Sequence, residues 1–171
     1  MRPNSVFCSM GRTVRCNSRT MLENPEGDEK LKEIYEVSAY ETTAATFFTT
    51  LIEHKTSLVL DVRLKNESQL CGFTKKRDLE YLISQITQAK YIHDLEFAPT
   101  PELLERYIGH WLDWEQYAVA YQALLEQRNA LLNFKRAYLP YDSICLLGTA
   151  TRKRRSHSSV LFSLLQGSQC L

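Results

Sequence analysis

Two side chains of opposite charge stand where an apolar run gives way to a loop. Asp61 and Arg63 lie at the end of the run at residues 57–62, and in extended backbone residues two apart point to the same side. In one interpretation, Asp61 holds Arg63 as a clamp for an anion. In the other, Asp61 is structural and its carboxylate accepts backbone N–H bonds of the following loop. The sequence leaves both interpretations open.

The densest cluster of charge in the chain is a run of four basic residues before the predicted final helix. Cations beside a helix N-terminus are suited to hold a phosphate or a longer polyanion. The alternative is a solvated loop that serves no ligand, which is a common use of basic runs. The run consists of Arg152, Lys153, Arg154 and Arg155.

Ser156 and His157 open that final helix, and each has a chemical and a structural interpretation. His157 is placed to shuttle protons, because a helix N-terminus depresses the pKa of an imidazolium. Val160 and Leu161 follow it at helical spacing and are apolar, which favours a packed histidine bonded to a loop carbonyl. No base is paired with Ser156 by any motif, so we interpret it as a helix cap rather than a nucleophile.

Aromatic and imidazole side chains in or beside the predicted strands and helices form a further candidate surface. Aromatic faces can stack on a base or another planar ring. Core packing is the commoner use of such side chains, and we favour it here. The four candidates are Tyr40, Tyr91, His93 and Trp111.

The composition excludes several classes of protein. The 21 basic and 20 acidic side chains leave a formal net charge of +1, so no global field draws the molecule onto nucleic acid or an anionic membrane. The apolar runs fall short of the ~20 residues that a membrane helix needs. The cysteines are odd in number and lack zinc spacing, which predicts reduced thiols in a cytoplasmic protein without a metal or other cofactor. They are Cys8, Cys16, Cys71, Cys145 and Cys170.

The start of the chain differs in composition from the remainder. Residues 1–20 contain four arginines and no acidic residue, and few of their side chains are large and apolar. Such a segment cannot offset the entropy of ordering. We predict a disordered tail over residues 1–30 and a single domain over residues 31–168. The alternatives are an organelle transit peptide and a start of translation at Met10 or Met21.

Strand-like and helix-like patterns alternate through the predicted domain. Between the strand-like runs, apolar residues recur at helical spacing, and caps such as Thr100 before Pro101 mark helix starts. This order predicts an α/β fold, a three-layer sandwich with a mostly parallel sheet of about four strands. The predicted strands cover residues 34–39, 57–62, 90–95 and 142–147.

This architecture predicts where a ligand would bind. In parallel sheets covered by helices, ligands bind beyond the carboxyl ends of the strands. The loops after Ala39, Val62 and Leu147 are therefore expected to share one edge of the sheet. Tyr40, Asp61 with Arg63, the basic run and His157 lie at or after the ends of these same strands, so they are expected to meet at that edge.

An ordered set of short motifs resembles the prokaryotic domain of unknown function 488 family over residues 34–165. The resemblance implies an α/β fold and a bacterial origin but no particular reaction. The motifs are Tyr40, Asp61-Val62-Arg63, Gly72-Phe73-Thr74-Lys75, Tyr91 with His93, and Phe97-Ala98-Pro99-Thr100-Pro101-Glu102-Leu103-Leu104.

The chain departs from this family at its last strand and last helix. The resemblance implies a Leu-Cys-Ser-Glu type turn where this sequence has Leu147-Gly148-Thr149-Ala150, and a Cys-His-Arg start where it has Ser156-His157-Ser158. Of the residues in these motifs that could do chemistry, His157 alone is retained. A divergent member of this kind lacks the thiolates, the carboxylate and the arginine that nucleophilic or acid–base work would use.

Together these residues predict a basic cleft that binds a phosphate-bearing ligand, either a nucleotide or a nucleic acid. His157 is the one catalytic candidate, and we favour a protein that is not an enzyme. One alternative is an enzyme that uses Asp61, Arg63 and His157 without a cysteine. Another is a protein-interaction domain that docks through its long aromatic helix. The residues assigned to the cleft are Tyr40, Asp61, Arg63, Arg152, Arg154, Arg155 and His157.

Overall fold

A computed structural model describes residues 33–138 and 140–167 of the chain, in which strands and helices alternate. The predicted tail over residues 1–30 lies outside the described residues. The strands are β1 (Glu33–Ser38), β2 (Leu58–Asp61), β3 (Lys90–His93) and β4 (Ser143–Gly148). The helices are α1 (Ala44–Glu53), α2 (Lys76–Ile86), α3 (Pro101–Ile108), α4 (Trp114–Gln127), α5 (Ala130–Tyr138) and α6 (His157–Gly167).

The four strands form one parallel sheet in the order β1-β4-β2-β3. All residues of the two central strands, β2 and β4, are buried. In this register Leu60 lies between Leu146 and Ile92. A strand that is covered on both faces has no solvent side, so both central strands read as continuous apolar runs in the sequence.

Helices cover both faces of the sheet, which confirms the predicted three-layer sandwich. Alternate residues of β2 serve the two faces: Leu58 and Leu60 pack with residues of α4, α5 and α6. Val59 packs on the other face, with residues of α1 and α2. Within the described residues, no helix is long and apolar enough to cross a membrane.

Local hydrogen bonds fix the helix starts that the sequence indicates. The Thr43 hydroxyl accepts from the backbone of Thr46 at the start of α1. Asp113 and Gln116 form the reciprocal capping box that begins α4. α3 begins with Pro101 after the cap Thr100, yet none of its residues is buried. This helix is therefore held at the surface rather than inserted in the core.

Candidate functional site

The loops that follow β1, β2 and β4 meet at the carboxyl edge of the sheet, around a pocket of about 220 Å³. Parallel strands end at the same edge, so their loops converge there as expected from the sequence. α3 forms a further wall, and α6 begins at the pocket. The residues that line it are Tyr40, Arg63, Leu64, Lys65, Pro101, Leu104, Glu105, Ile108, Thr149, Arg154 and His157.

Asp61 and Arg63 form an ion pair whose side chains have no exposed surface. The Arg63 guanidinium donates from Nε to Oδ1 of Asp61 at 2.8 Å and from Nη2 to Oδ2 at 2.7 Å. It also donates to the carbonyl of Thr74 at 2.7 Å and to the Thr74 hydroxyl at 3.3 Å. With these partners the guanidinium ties the strand end to the following loop, which favours the structural interpretation of the pair.

Three further donors complete the surroundings of the Asp61 carboxylate. Its Oδ1 accepts the backbone N–H of Arg63 at 3.1 Å, and its Oδ2 accepts from Asn66 at 2.8 Å and from the Tyr91 hydroxyl at 2.6 Å. Burial alone would raise the pKa of Asp61, but the hydrogen bonds and charge of Arg63 lower it below its usual value. The carboxylate is therefore ionised, and both of its oxygens accept hydrogen bonds.

The four side chains that were candidates for an aromatic surface do not lie together in the structure. Tyr40 is exposed and lines the pocket, whereas Tyr91 donates to Asp61. His93 contacts the backbone carbonyl of Arg63 through Nε2 at 2.8 Å. Trp111 is 80% exposed and lies beyond the end of α3, so the prediction of core packing is wrong for this residue. It follows a helix none of whose residues is fully buried.

His157 is buried at the first turn of α6, and both of its ring nitrogens have partners. Nε2 lies 2.7 Å from the backbone carbonyl of Val62, so it must carry the proton and donate. Nδ1 then accepts, and the Ser156 hydroxyl lies 3.3 Å from it. Burial lowers the pKa of His157 to about 4. This arrangement is that of a packed histidine bonded to a loop carbonyl, not of a free proton shuttle.

The basic run is an ordered turn. Backbone hydrogen bonds join Thr151 and Arg154 in both directions, at 2.8 and 3.2 Å. The backbone N–H of Arg152 donates to Glu41 at 2.9 Å, and the guanidinium carbon of Arg155 lies 5.5 Å from the ring centre of Trp114. Among the four basic residues, Arg154 is the one that lines the described pocket. The run therefore divides into one cation that lines the pocket and three that do not.

Seven residues of the pocket wall were not identified as site residues from the sequence. Pro101, Leu104, Glu105 and Ile108 belong to α3, Leu64 and Lys65 follow β2, and Thr149 follows β4. Leu104 and Ile108 have the spacing of a core-facing stripe, but Ile108 is 46% exposed. The signal that distinguishes them is Glu105, an acid that interrupts this apolar stripe. A buried stripe would not place an unpaired carboxylate there.

The start of α6 approaches β4 so closely that only glycine fits at position 148. A Cβ atom at Gly148 would lie 1.8 Å from Oγ of Ser158 and 2.5 Å from its Cβ. The hydroxyl of Ser158 in turn donates to Glu36 of β1 at 2.5 Å. α6 thus occupies the space that any side chain at position 148 would need.

We expect Gly148→Ala to lower the free energy of unfolding by about 1–3 kcal/mol, the cost of overpacking. Urea denaturation of the variant and the parent measures this difference. Adding Ser158→Gly removes both clashing atoms and is expected to restore part of the loss. Ser158→Ala leaves the Cβ atom in place and is expected to restore little. A Gly148→Ala protein as stable as the parent would refute the close approach.

The site offers cations, apolar side chains and one carboxylate around an open pocket. Among the described residues, no group of three or more His, Cys, Asp and Glu side chains could hold a metal ion. The described cysteines, Cys71 and Cys145, are free and buried. What the pocket can do chemically is hold an anionic group beside an apolar surface.

Comparison with known proteins gives one result. No curated protein and no solved structure matches the chain significantly. The model of one family, described as domain of unknown function DUF488, matches residues 43–165. These residues run from the cap of α1 to the last turns of α6 and include every strand except β1. The chain therefore belongs to the DUF488 family.

Proposed function

We propose that this domain binds a phosphate-bearing ligand in the pocket at the carboxyl edge of the sheet and performs no covalent chemistry on it. The observation that carries the proposal is the presence of two exposed cations, Lys65 and Arg154, in the pocket wall. Neither forms an ion pair with an acid in the part of the chain that the structure describes. Both charges therefore remain available to a ligand.

The positions of Lys65 and Arg154 support the proposal that the anionic group of the ligand is small. Lys65 comes from the loop after β2 and Arg154 from the turn after β4, so they approach the pocket from adjacent central strands. α6 begins at His157 on the same wall, and its N-terminus adds a positive partial charge. Charge-assisted hydrogen bonds from two such side chains favour a phosphate group over a neutral ligand.

The groups that an enzyme would use are engaged in structural contacts, which supports binding rather than catalysis. Asp61 and Arg63 neutralise each other without exposed surface. His157 uses Nε2 to donate to Val62, and its low pKa makes it a weak base at neutral pH. An enzyme built on these three residues would have to break contacts that hold the strand ends together.

Isothermal titration calorimetry with inorganic pyrophosphate tests the proposal at low and at high ionic strength. We expect Arg154→Ser to weaken binding about tenfold, which corresponds to about 1.4 kcal/mol. The matched control is Lys153→Ser, which removes the same charge one position away on the turn but outside the pocket wall. It is expected to change the affinity less than about twofold, because screened surface charges contribute little.

The outcomes separate the pocket from the turn. Equal losses in Arg154→Ser and Lys153→Ser would place the anion on the surface of the turn and refute the pocket. Unchanged binding in both variants would mean that the basic run is a solvated turn without a ligand. Lys65→Ser is expected to weaken binding like Arg154→Ser, because the two cations lie on the same pocket wall.

A further inference from the structure

The wall that α3 contributes to the pocket is a single stripe of the helix. Its members are spaced at i, i+3, i+4 and i+7, so they lie on one face. Three of the four are apolar, and the fourth is an acid. The stripe consists of Pro101, Leu104, Glu105 and Ile108.

Glu105 has a position that core packing does not explain. Its side chain forms no ion pair within the described part of the chain, and it is exposed on the pocket wall. A carboxylate near Lys65 and Arg154 repels an inorganic anion and so weakens the binding of phosphate alone. The same carboxylate accepts hydrogen bonds from two neighbouring hydroxyl groups of a ligand. It therefore selects for a ligand that carries both an anion and donors.

We propose that the pocket is selective for a nucleoside monophosphate, an inference that rests on the proposed function. Lys65 and Arg154 hold the phosphate, Glu105 accepts from the ribose hydroxyls, and Leu104 and Ile108 contact the base. In the dinucleotide-binding α/β fold, an acidic residue likewise accepts a hydrogen bond from a ribose hydroxyl. The phosphate, the hydroxyl pair and the apolar ring of one ligand satisfy all three kinds of side chain.

The size of the pocket favours a single nucleotide over a strand of nucleic acid. Its volume of about 220 Å³ is below the about 300–1,000 Å³ of sites that enclose drug-sized ligands, so the pocket encloses only part of one nucleotide and has no room for successive nucleotides. The other cations of the basic run do not line it, and Arg155 lies over Trp114 instead. A polyanion would use these cations together, whereas the pocket uses Arg154 alone among them.

Calorimetry with AMP, with the AMP analogue that lacks both ribose hydroxyls, and with inorganic pyrophosphate tests the inference. Glu105→Gln is expected to weaken AMP binding about five- to tenfold and to strengthen pyrophosphate binding about two- to threefold. Glu105→Gln is not expected to weaken the binding of the analogue that lacks the ribose hydroxyls. Glu102→Gln is the matched control, an exposed acid of the same helix that does not line the pocket. It is expected to change none of the three affinities more than about twofold.

The outcomes distinguish this inference from the proposed function on which it rests. If Glu105→Gln strengthens the binding of all three ligands, Glu105 does not accept from the hydroxyls and the inference fails, while phosphate binding stands. If neither pyrophosphate nor AMP binds the parent protein, both the proposed function and this inference fail. If single-stranded RNA binds more tightly than AMP, and Lys153→Ser weakens that binding as much as Arg154→Ser does, the ligand is a nucleic acid and the inference is overturned.

Discussion

Asp61→Asn is expected to lower the free energy of unfolding by about 3–5 kcal/mol, because it leaves the buried guanidinium of Arg63 without a counter-charge. Both side chains have no exposed surface, so water cannot replace the lost carboxylate. Asn66 and Tyr91 also lose an ionised acceptor. Such a loss is a large part of the ~5–15 kcal/mol stability of a typical domain. Chemical denaturation followed by circular dichroism measures it.

Two comparisons make this prediction specific to the buried pair. Glu80→Gln removes an exposed carboxylate from α2 and is expected to change stability by less than about 0.5 kcal/mol. Arg63→Met combined with Asp61→Asn removes the stranded charge, so the double variant is expected to be more stable than Asp61→Asn alone. If Asp61→Asn costs less than about 1 kcal/mol, as for an exposed ion pair, the buried network is refuted.

The protein is expected to lose about 3 kcal/mol of stability through His157 as the pH falls from neutral to acidic. The pKa of this ring is lowered from 6.5 to about 4 by burial, so the unfolded chain binds a proton that the folded chain does not. Well above pH 6.5 the ring is neutral in both states and its ionisation has no effect. Below that pH the free energy of unfolding declines until the folded state is protonated as well.

The measurement is the dependence of unfolding free energy on pH in the parent and in His157→Gln. The glutamine amide can still donate to the Val62 carbonyl, but it does not titrate, so the slope between pH 6.5 and about 4 is expected to decrease. Because the slopes are compared, a loss of stability in the variant that is the same at every pH does not affect the result. The control is His110→Asn, at an exposed position with φ of 59° that asparagine tolerates. Equal slopes in the parent and His157→Gln would contradict the burial of a neutral ring.

The secondary structure was largely predictable because its signals are local. Thr43 and Asp113 cap α1 and α4 through hydrogen bonds three residues away, which residue types at fixed spacing reveal. The continuous apolar run at residues 57–62 indicated a central strand, and β2 lies beside β4 in the centre of the sheet. The long aromatic helix ends at Gln127, and a second helix begins after Asn129, whose φ is 53°. A left-handed residue ends a helix without a strong signal in the sequence when it is not glycine.

The sequence by itself determined the parallel α/β fold and the edge at which its loops meet, because helical and strand periodicity and the order of elements specify both. The roles of the charged side chains at that edge depended on the tertiary structure. Arg63 donates to Thr74, and His157 donates to Val62, 95 positions away in the chain. Glu105 lines the pocket because α3 remains at the surface. Burial and hydrogen bonding between residues far apart in the chain decide whether a charge is neutralised or left for a ligand, and local spacing contains no information about such contacts.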